Sequence, residues 1–344
     1  MIAALLAGLA LAAGVAAALS WAVSRSGPVD PPRERGSHVR PTPTSGGLAI
    51  LAATAVGAAV AAWGVKAAAG PGELWAVAWT VAVAGGLGLL GALDDMIDLG
   101  AKAKLLIQAL VALGFAAGVA RVQAIPLFGH LALPLGPWIG VLGTALWIVV
   151  ATNAVNFMDG ANGVAGGAMA IALLALGLGA LGAGEPVVAA AALAGAGANA
   201  GYLPWNLGGR LFQGDAGSLS SGFLFAALAV VAERGGTGLY VYFGPLALLP
   251  FMTDVLLTLL LRARRGSSLL EAHRDHLYQL WLQASGRPHA ALAVRVAMVM
   301  AGFGAYALYL QYAAPGLRPL FFCGALAVSV IGWRTWRRRL ETAA

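Results

Sequence analysis

Eleven apolar runs of about twenty residues each, separated by short polar stretches, dominate this 344-residue chain. A run of that length matches the hydrocarbon thickness of a bilayer, and inside lipid every backbone N–H and C=O must be satisfied within its own segment. Continuous runs therefore predict helices, whereas a β-barrel would alternate apolar and polar residues. The expected fold is an all-α polytopic transmembrane bundle with spans over 2–24, 46–64, 73–93, 103–120, 134–152, 163–183, 186–203, 217–233, 239–261, 290–311 and 316–333, forming one membrane domain over 1–344. Composition agrees: 60% of residues are hydrophobic and 10% charged, against about a quarter charged in soluble proteins. The 48 glycines suit helices that associate by close backbone approach in lipid. The first run lacks the basic start and small-residue cleavage site of a signal peptide and is read as a helix. Cys323 is the single cysteine, which excludes disulfides and cysteine-rich metal sites.

Charge orients the bundle. Of the 21 lysines and arginines, Lys66, Arg121, Arg234 and Arg318 fall on one side, Arg295 lies within a span, and the other sixteen fall on the opposite side. Basic loops favour the cytoplasm, so the N-terminus is expected outside and the C-terminus in the cytoplasm. The net charge of +7 is then explained by anchoring at anionic lipid, with no nucleic-acid partner required.

With this topology the polar motifs collect on the cytoplasmic face: SHVRPTPTSGG (37–47), LDDMIDLGAKAKL (93–105), NAVNFMDGANG (153–163), NLGGRLFQGDAGS (206–218) and EAHRDHLYQ (271–279). Asp94, Asp95 and Asp98 end a helix, where the macrodipole opposes anions, so a merely structural role would be badly placed. Adjacent carboxylates suit a hard divalent cation, magnesium or alternatively manganese. Asn153, Asn156 and Asp159 recur every three residues and share a helical face. Asp215 lies among glycines at a helix start, a setting for an anion or metal-phosphate as well as for a plain N-cap. Ser268 and Glu271 read as a capping box opening an interfacial cytoplasmic helix near 268–283, with His273, Arg274 and His276 turned toward the site for phosphate rather than zinc. Asp254, eight residues before Arg262, lies about 12 Å into the membrane and faces the bundle interior, for binding or for a buried pair.

In this order, HVRPTPTSGG, the Asp94–Asp95 pair followed by Lys104, NAVNFMDG, RLFQGDAGS and HRDHLYQ resemble the motifs of the polyprenyl-phosphate N-acetylhexosamine-1-phosphate transferases, which include the phospho-N-acetylmuramoyl-pentapeptide transferase of peptidoglycan synthesis. The resemblance implies magnesium-dependent transfer of a sugar 1-phosphate from a UDP-N-acetylhexosamine to undecaprenyl phosphate, with release of UMP. It implies Asp215 as the metal ligand, Phe212 and Asp159 on the uracil and ribose side, and Asn153, Asn156, Asn206 and Gly214 in the same nucleotide-sugar set. Asp94 would deprotonate the lipid phosphate or attack in its place, Asp95 would position metal or substrate, and Lys104 would neutralise developing charge. His273, Arg274 and His276 would bind phosphates, with His38, Thr44 and Asp254 as further site residues. A homodimer is compatible with the resemblance, although no face of the sequence is diagnostic.

Departures from the pattern are Asn162 where many members carry a second Asp, Gln213 in place of a common Met, and Arg33 where Asn often follows the proline pair. HRDH replaces the triple histidine of the peptidoglycan enzyme and resembles the branch that initiates O-antigen and other surface polysaccharides, which favours a UDP-GlcNAc-like donor over the muramoyl pentapeptide. Two other classes explain less. DDMID satisfies the DDxxD pattern of prenyltransferases but lacks a second aspartate-rich segment, and a transporter would place its coupling acids near the midplane, where only Asp254 approaches.

Overall fold

The computed structural model describes residues 1–27, 29, 30, 41–70, 72–129, 131–269, 271 and 273–343. Its helices, in chain order, are α1 (Ile2–Ser26), α2 (Gly46–Val65), α3 (Glu73–Ile97), α4 (Ala101–Gly118), α5 (Gly136–Phe157), α6 (Val164–Gly182), α7 (Pro186–Leu207), α8 (Gly214–Glu233), α9 (Phe243–Ala247), α10 (Leu249–Arg264), α11 (Leu277–Ser285), α12 (His289–Gln311) and α13 (Arg318–Ala343). Two short antiparallel ladders join them, β1 (Val29–Asp30) with β2 (Thr42–Pro43) and β3 (Ala124–Pro126) with β4 (Ala132–Pro134). Among the described residues ten helices are long and apolar enough to cross a membrane, and the chain is a multi-pass membrane protein.

The difference from eleven spans lies at 239–261, where the expected continuous helix is jointed into α9 and α10 at Leu248. Pro250 supplies the reason: it has no N–H for the carbonyl of Leu246, and its ring opposes that carbonyl. The jointed pair still travels the depth of the bundle. Just before α9 the Tyr240 hydroxyl donates to Ala307 O, near the end of α12, whereas Arg262 at the end of α10 bonds Asp275, on the side where α12 begins.

The centre of the bundle is α7 and α8, which are buried over most of their length. The residues of α7 are small because other backbones press on it. A Cβ at Gly197 would lie 2.3 Å from Leu9 O, and one at Gly201 would lie 2.2 Å from Ala13 O, so α1 packs on a glycine pair four residues apart. Gly201→Val is expected to destabilise the fold by at least about 1–3 kcal/mol, because backbone must move to admit the side chain. A melting temperature in detergent no lower than that of the natural chain would remove this contact from the account.

Glu73 ties the face opposite the polar motifs. Its carboxylate accepts the N–H groups of Val187 (2.7 Å) and Val188 (3.0 Å) at the start of α7 and of Gly70 (3.0 Å), placing a negative charge on orphan helix donors.

The helix expected over 268–283 is confined to Leu277–Ser285. Among the described residues no helix starts at Ser268. His276 is instead the N-cap, with its N–H donated to the Gln279 side chain (3.2 Å). Ahead of it, Arg262 donates to the Ser268 carbonyl (2.6 Å) and to the Asp275 carboxylate. The Leu277 N–H meets the carboxylate of Asp254 at 2.9 and 3.1 Å, an anion placed at a helix start.

Candidate active site

A three-residue turn begins the site. Helix α3 ends at Ile97, and Asp98 (φ 50°) and Gly100 (φ 79°) take left-handed backbone, which reverses the chain into α4. Asp tolerates that conformation better than most residues, which accounts for Asp98 at the C-cap. The reversal sets Lys104, in the first turn of α4, against Asp94, in the last turn of α3, with Nζ 2.8 Å from Asp94 Oδ2. The other Asp94 oxygen accepts the Leu99 N–H at 3.0 Å.

Helix α8 delivers the second carboxylate. Gly214 (φ 62°) opens it, and a Cβ there would lie 2.3 Å from Asp95 Oδ2. Gly91 on α3 is as tightly placed, because its Cβ would fall 2.4 Å from the carbonyl carbon of Asp215. Lacking these side chains, α3 and α8 meet backbone to backbone. The Asp215 N–H then points at the Asp95 carboxylate (3.2 and 3.3 Å), and Asp215 Oδ2 accepts a hydrogen bond from Lys104 Nζ. Asn156, from the last turn of α5, donates to Asp215 Oδ1 (2.8 Å) and to Ser218 Oγ (2.9 Å). Four helices thus place Asp94, Asp95, Lys104, Asn156 and Asp215 together, with Lys104 the shared counter-ion of Asp94 and Asp215.

The loop before α8 is held by the segment before α2. Phe212 N–H donates to Pro43 O (2.8 Å), and the N–H groups of Gly46 and Gly47 bond Phe212 O and Gln213 O (2.9 and 3.0 Å). Thr44 sets its carbonyl against Gly214. The glycines of PTPTSGG therefore scaffold the Asp215 loop. Asn206 serves the same loop, accepting from Gly163 N–H and donating to Leu211 O (3.1 Å). Asn153 turns away and bonds Gln108 on α4 and Val149 O. His38 lies outside the described residues.

A second cluster adjoins the first where α5 ends. Asp159 lies beyond the helix in the turn to α6, and its carboxyl is pushed well above the usual range by burial and then by the charge of Asp215. Tyr278, at the start of α11, donates its hydroxyl to Phe157 O (3.1 Å) and crosses Gly160, where a Cβ would clash with that hydroxyl. His273 and His276 stand over Phe157 with ring centroids at 6.5 and 5.7 Å and 4.9 Å between the histidines. They meet just ahead of α11 and share no helical face, and exposed Arg274 lies between them in sequence. Sequence reasoning did not single out Phe157 and Tyr278, although both sit inside motifs it quoted.

Burial holds both histidines neutral, with their pKa values depressed to about 4. Because the unfolded value is 6.5, the unfolded chain binds more protons between the two values, so this stabilisation is complete above pH 6.5 and declines as pH falls toward 4. The melting temperature of the unliganded protein should therefore fall across that window, and fall less in the His273→Gln/His276→Gln variant. An identical slope in both would exclude these histidines as its source.

Among the described residues no three His, Cys, Asp or Glu side chains surround a common point able to hold a metal ion. The donor set still suits magnesium, which is commonly bound through one or two carboxylates and completed by substrate phosphates. Asp95 is exposed, and Asp215 retains 22% of its side-chain exposure.

A bundle of membrane-length helices with paired carboxylates, a lysine counter-ion and adjacent neutral histidines at one face has the architecture of a membrane-embedded phosphoryl-transfer enzyme. Comparison with known proteins agrees. The Glycosyl transferase family 4 model matches residues 75–233. The decaprenyl-phosphate N-acetylglucosaminephosphotransferase of Mycolicibacterium smegmatis is 31% identical over 339 residues, covering 89% of this chain and 81% of that protein. The phospho-N-acetylmuramoyl-pentapeptide-transferase of Desulforudis audaxviator is 36% identical over 216 residues, 56% of this chain, and the match spans 63% of that relative's length. The undecaprenyl-phosphate alpha-N-acetylglucosaminyl 1-phosphate transferase of Salmonella typhi is 28% identical over 277 residues, 74% of this chain and 72% of the relative. The chain belongs to the family of polyprenyl-phosphate N-acetylhexosamine-1-phosphate transferases.

Proposed function

We propose that this protein transfers N-acetylhexosamine 1-phosphate from a UDP-N-acetylhexosamine, with UDP-GlcNAc as the favoured donor, to undecaprenyl phosphate at the cytoplasmic face of the bacterial inner membrane. The products are UMP and the lipid-linked diphosphate sugar that initiates O-antigen or another surface polysaccharide. The observation that carries the reading is the placement of Lys104 between Asp94 and Asp215. Transfer between two anionic partners requires cationic groups at the point where charge develops.

Each residue then has a task. Asp94, aligned by Lys104 and the Leu99 N–H, takes the proton of the lipid phosphate, whose freed oxygen attacks the β-phosphorus of the donor. The bond from that phosphorus to the UMP oxygen breaks, and Lys104 offsets the charge on the departing phosphate. The reading also accommodates a two-step course in which Asp94 attacks first. Asp215 and Asp95 would hold magnesium, which supplies charge neutralisation to the phosphates. Asn156 keeps Asp215 in register, Asp159 and Phe212 face the uridine, and His273, Arg274 and His276 bind phosphate oxygens. The neutral histidines become donors that gain charge as an anion arrives.

The N-acetylglucosamine donor is favoured over the muramoyl pentapeptide by HRDH in place of a triple histidine and by the greater coverage of the relatives named for N-acetylglucosamine transfer. Purified protein incubated with magnesium, undecaprenyl phosphate and a panel of UDP-N-acetylhexosamines, including the muramoyl pentapeptide, should release UMP fastest with UDP-GlcNAc. Absence of UMP with every donor would end this reading.

A further inference from the structure

We infer that the C-terminal helix α13 acts as a positioning clamp for the His273/His276 segment, through Trp333 and Arg337. The inference rests on the proposed phosphate role of those histidines. It adds two residues about sixty positions downstream of them, outside the stretch matched by the family model and outside every motif the sequence displays.

Residues 273–275 belong to no helix and His276 is only the N-cap of α11, so their shape is imposed by what grips them. Asp254 on α10, 4% exposed, is the first grip. Its carboxylate accepts the Leu277 N–H at 2.9 and 3.1 Å, the Thr258 hydroxyl at 3.3 Å and the indole N–H of Trp333 at 2.9 Å. The indole thus helps fix the anion that starts α11 one residue after His276. Arg337, one helical turn beyond Trp333 and 5% exposed, is the second grip. Its Nη1 donates to the Asp275 carbonyl at 2.9 Å, its Nε bonds Glu341 at 2.9 Å, and its guanidinium lies 5.1 Å from the Trp333 ring centroid. Arg262 holds the side chain of the same Asp275. The peptide joining the two histidines is therefore fixed from both its carbonyl and its carboxylate.

The opposite side of this segment rests on α5, through Tyr278 on Phe157 O and the histidine rings over Phe157. Held between α13 and α5, the imidazoles keep their spacing without a bound anion to organise them. A phosphate group meeting such a preset pair avoids the ordering penalty that a free loop would carry. Removing the indole N–H or the guanidinium should therefore loosen the pair and weaken donor binding, with little effect on a reaction centre built from α3, α4, α5 and α8.

The test uses the full-length enzyme in nanodiscs, with UMP release measured across UDP-GlcNAc concentrations. Trp333→Phe keeps the ring and removes the donor, and Arg337→Met removes the charge. Each is expected to raise KM for UDP-GlcNAc about tenfold, the equivalent of one hydrogen bond to a charged group, with kcat within about twofold and a melting temperature lowered by no more than a few degrees. His276→Ala should raise the same KM, and adding Trp333→Phe or Arg337→Met to it should bring less than about a threefold further rise, because both act through the same imidazole. Arg337→Lys, which retains the positive charge, should recover part of the loss. Losses that multiply with that of His276→Ala, unaltered KM at native melting temperature, or a fall in kcat tracking a fall in melting temperature would overturn the clamp. If His276→Ala leaves KM unchanged, the phosphate reading of the histidines fails and the clamp fails with it. A response to His276→Ala alone sinks the clamp and spares that reading.

Discussion

Asp215→Ala is expected to lower kcat by about a thousandfold or more while leaving a folded protein. The carboxylate accepts hydrogen bonds from Lys104 and Asn156, and the Asp215 backbone N–H donates to Asp95, so three of the proposed functional groups are organised around it. Its removal also relieves the repulsion between neighbouring carboxylates, so the melting temperature should not fall in step with the rate. If Asp215 holds the metal, the residual rate should no longer respond to added magnesium. Normal turnover, or a residual rate with the original magnesium dependence, would remove Asp215 from that position.

Lys104→Met should lower kcat by about a hundred- to a thousandfold, and it should also destabilise the fold. The ammonium is the common partner of Asp94 and Asp215, which are 11% and 22% exposed, and without it two partly buried carboxylates face each other. The two variants therefore separate two contributions. Loss of Asp215 should depress rate with stability retained, and loss of Lys104 should depress both. Lys104→Arg retains the charge, but its planar fork does not fit the space of a compact ammonium between two carboxylates, so an intermediate rate is expected. Full activity in Lys104→Met would contradict any role in charge neutralisation.

Much of this site was legible before the fold. Asp94, Asp95, Lys104, Asn156 and Asp215 converge as their motifs suggested, because each lies within a turn of a helix end on the same face of the bundle. Other residues singled out in the sequence have local duties. Asn153 and Asn156 are three apart on one helix, yet one bonds Gln108 and the other Asp215, since α4 and α8 flank different sides of α5. Asn206 braces the loop that carries Phe212, and Asp254 organises the start of α11. Spacing places such side chains on a face, but the neighbouring helix decides their partners.

The histidine segment shows the limit of local signals. Ser268 and Glu271 have the spacing of a capping box, but Arg262, Asp254 and Arg337 supply competing partners for the backbone around them, and the helix begins nine residues later. The most distant of those partners, Arg337, lies 62 positions from the Asp275 carbonyl it holds.

By itself the sequence determined the all-helical membrane architecture, because a backbone in lipid must satisfy its hydrogen bonds within each segment, and a twenty-residue apolar run leaves one means of doing so. It also determined which polar groups stand at the helix ends. The contact of α1 on Gly197 and Gly201 and the bridging of Asp94 to Asp215 by Lys104 were decided by tertiary structure. Helices that are apolar on every face carry almost no record of which face meets which neighbour, and that choice follows from backbone fit between small residues brought together only when the bundle assembles.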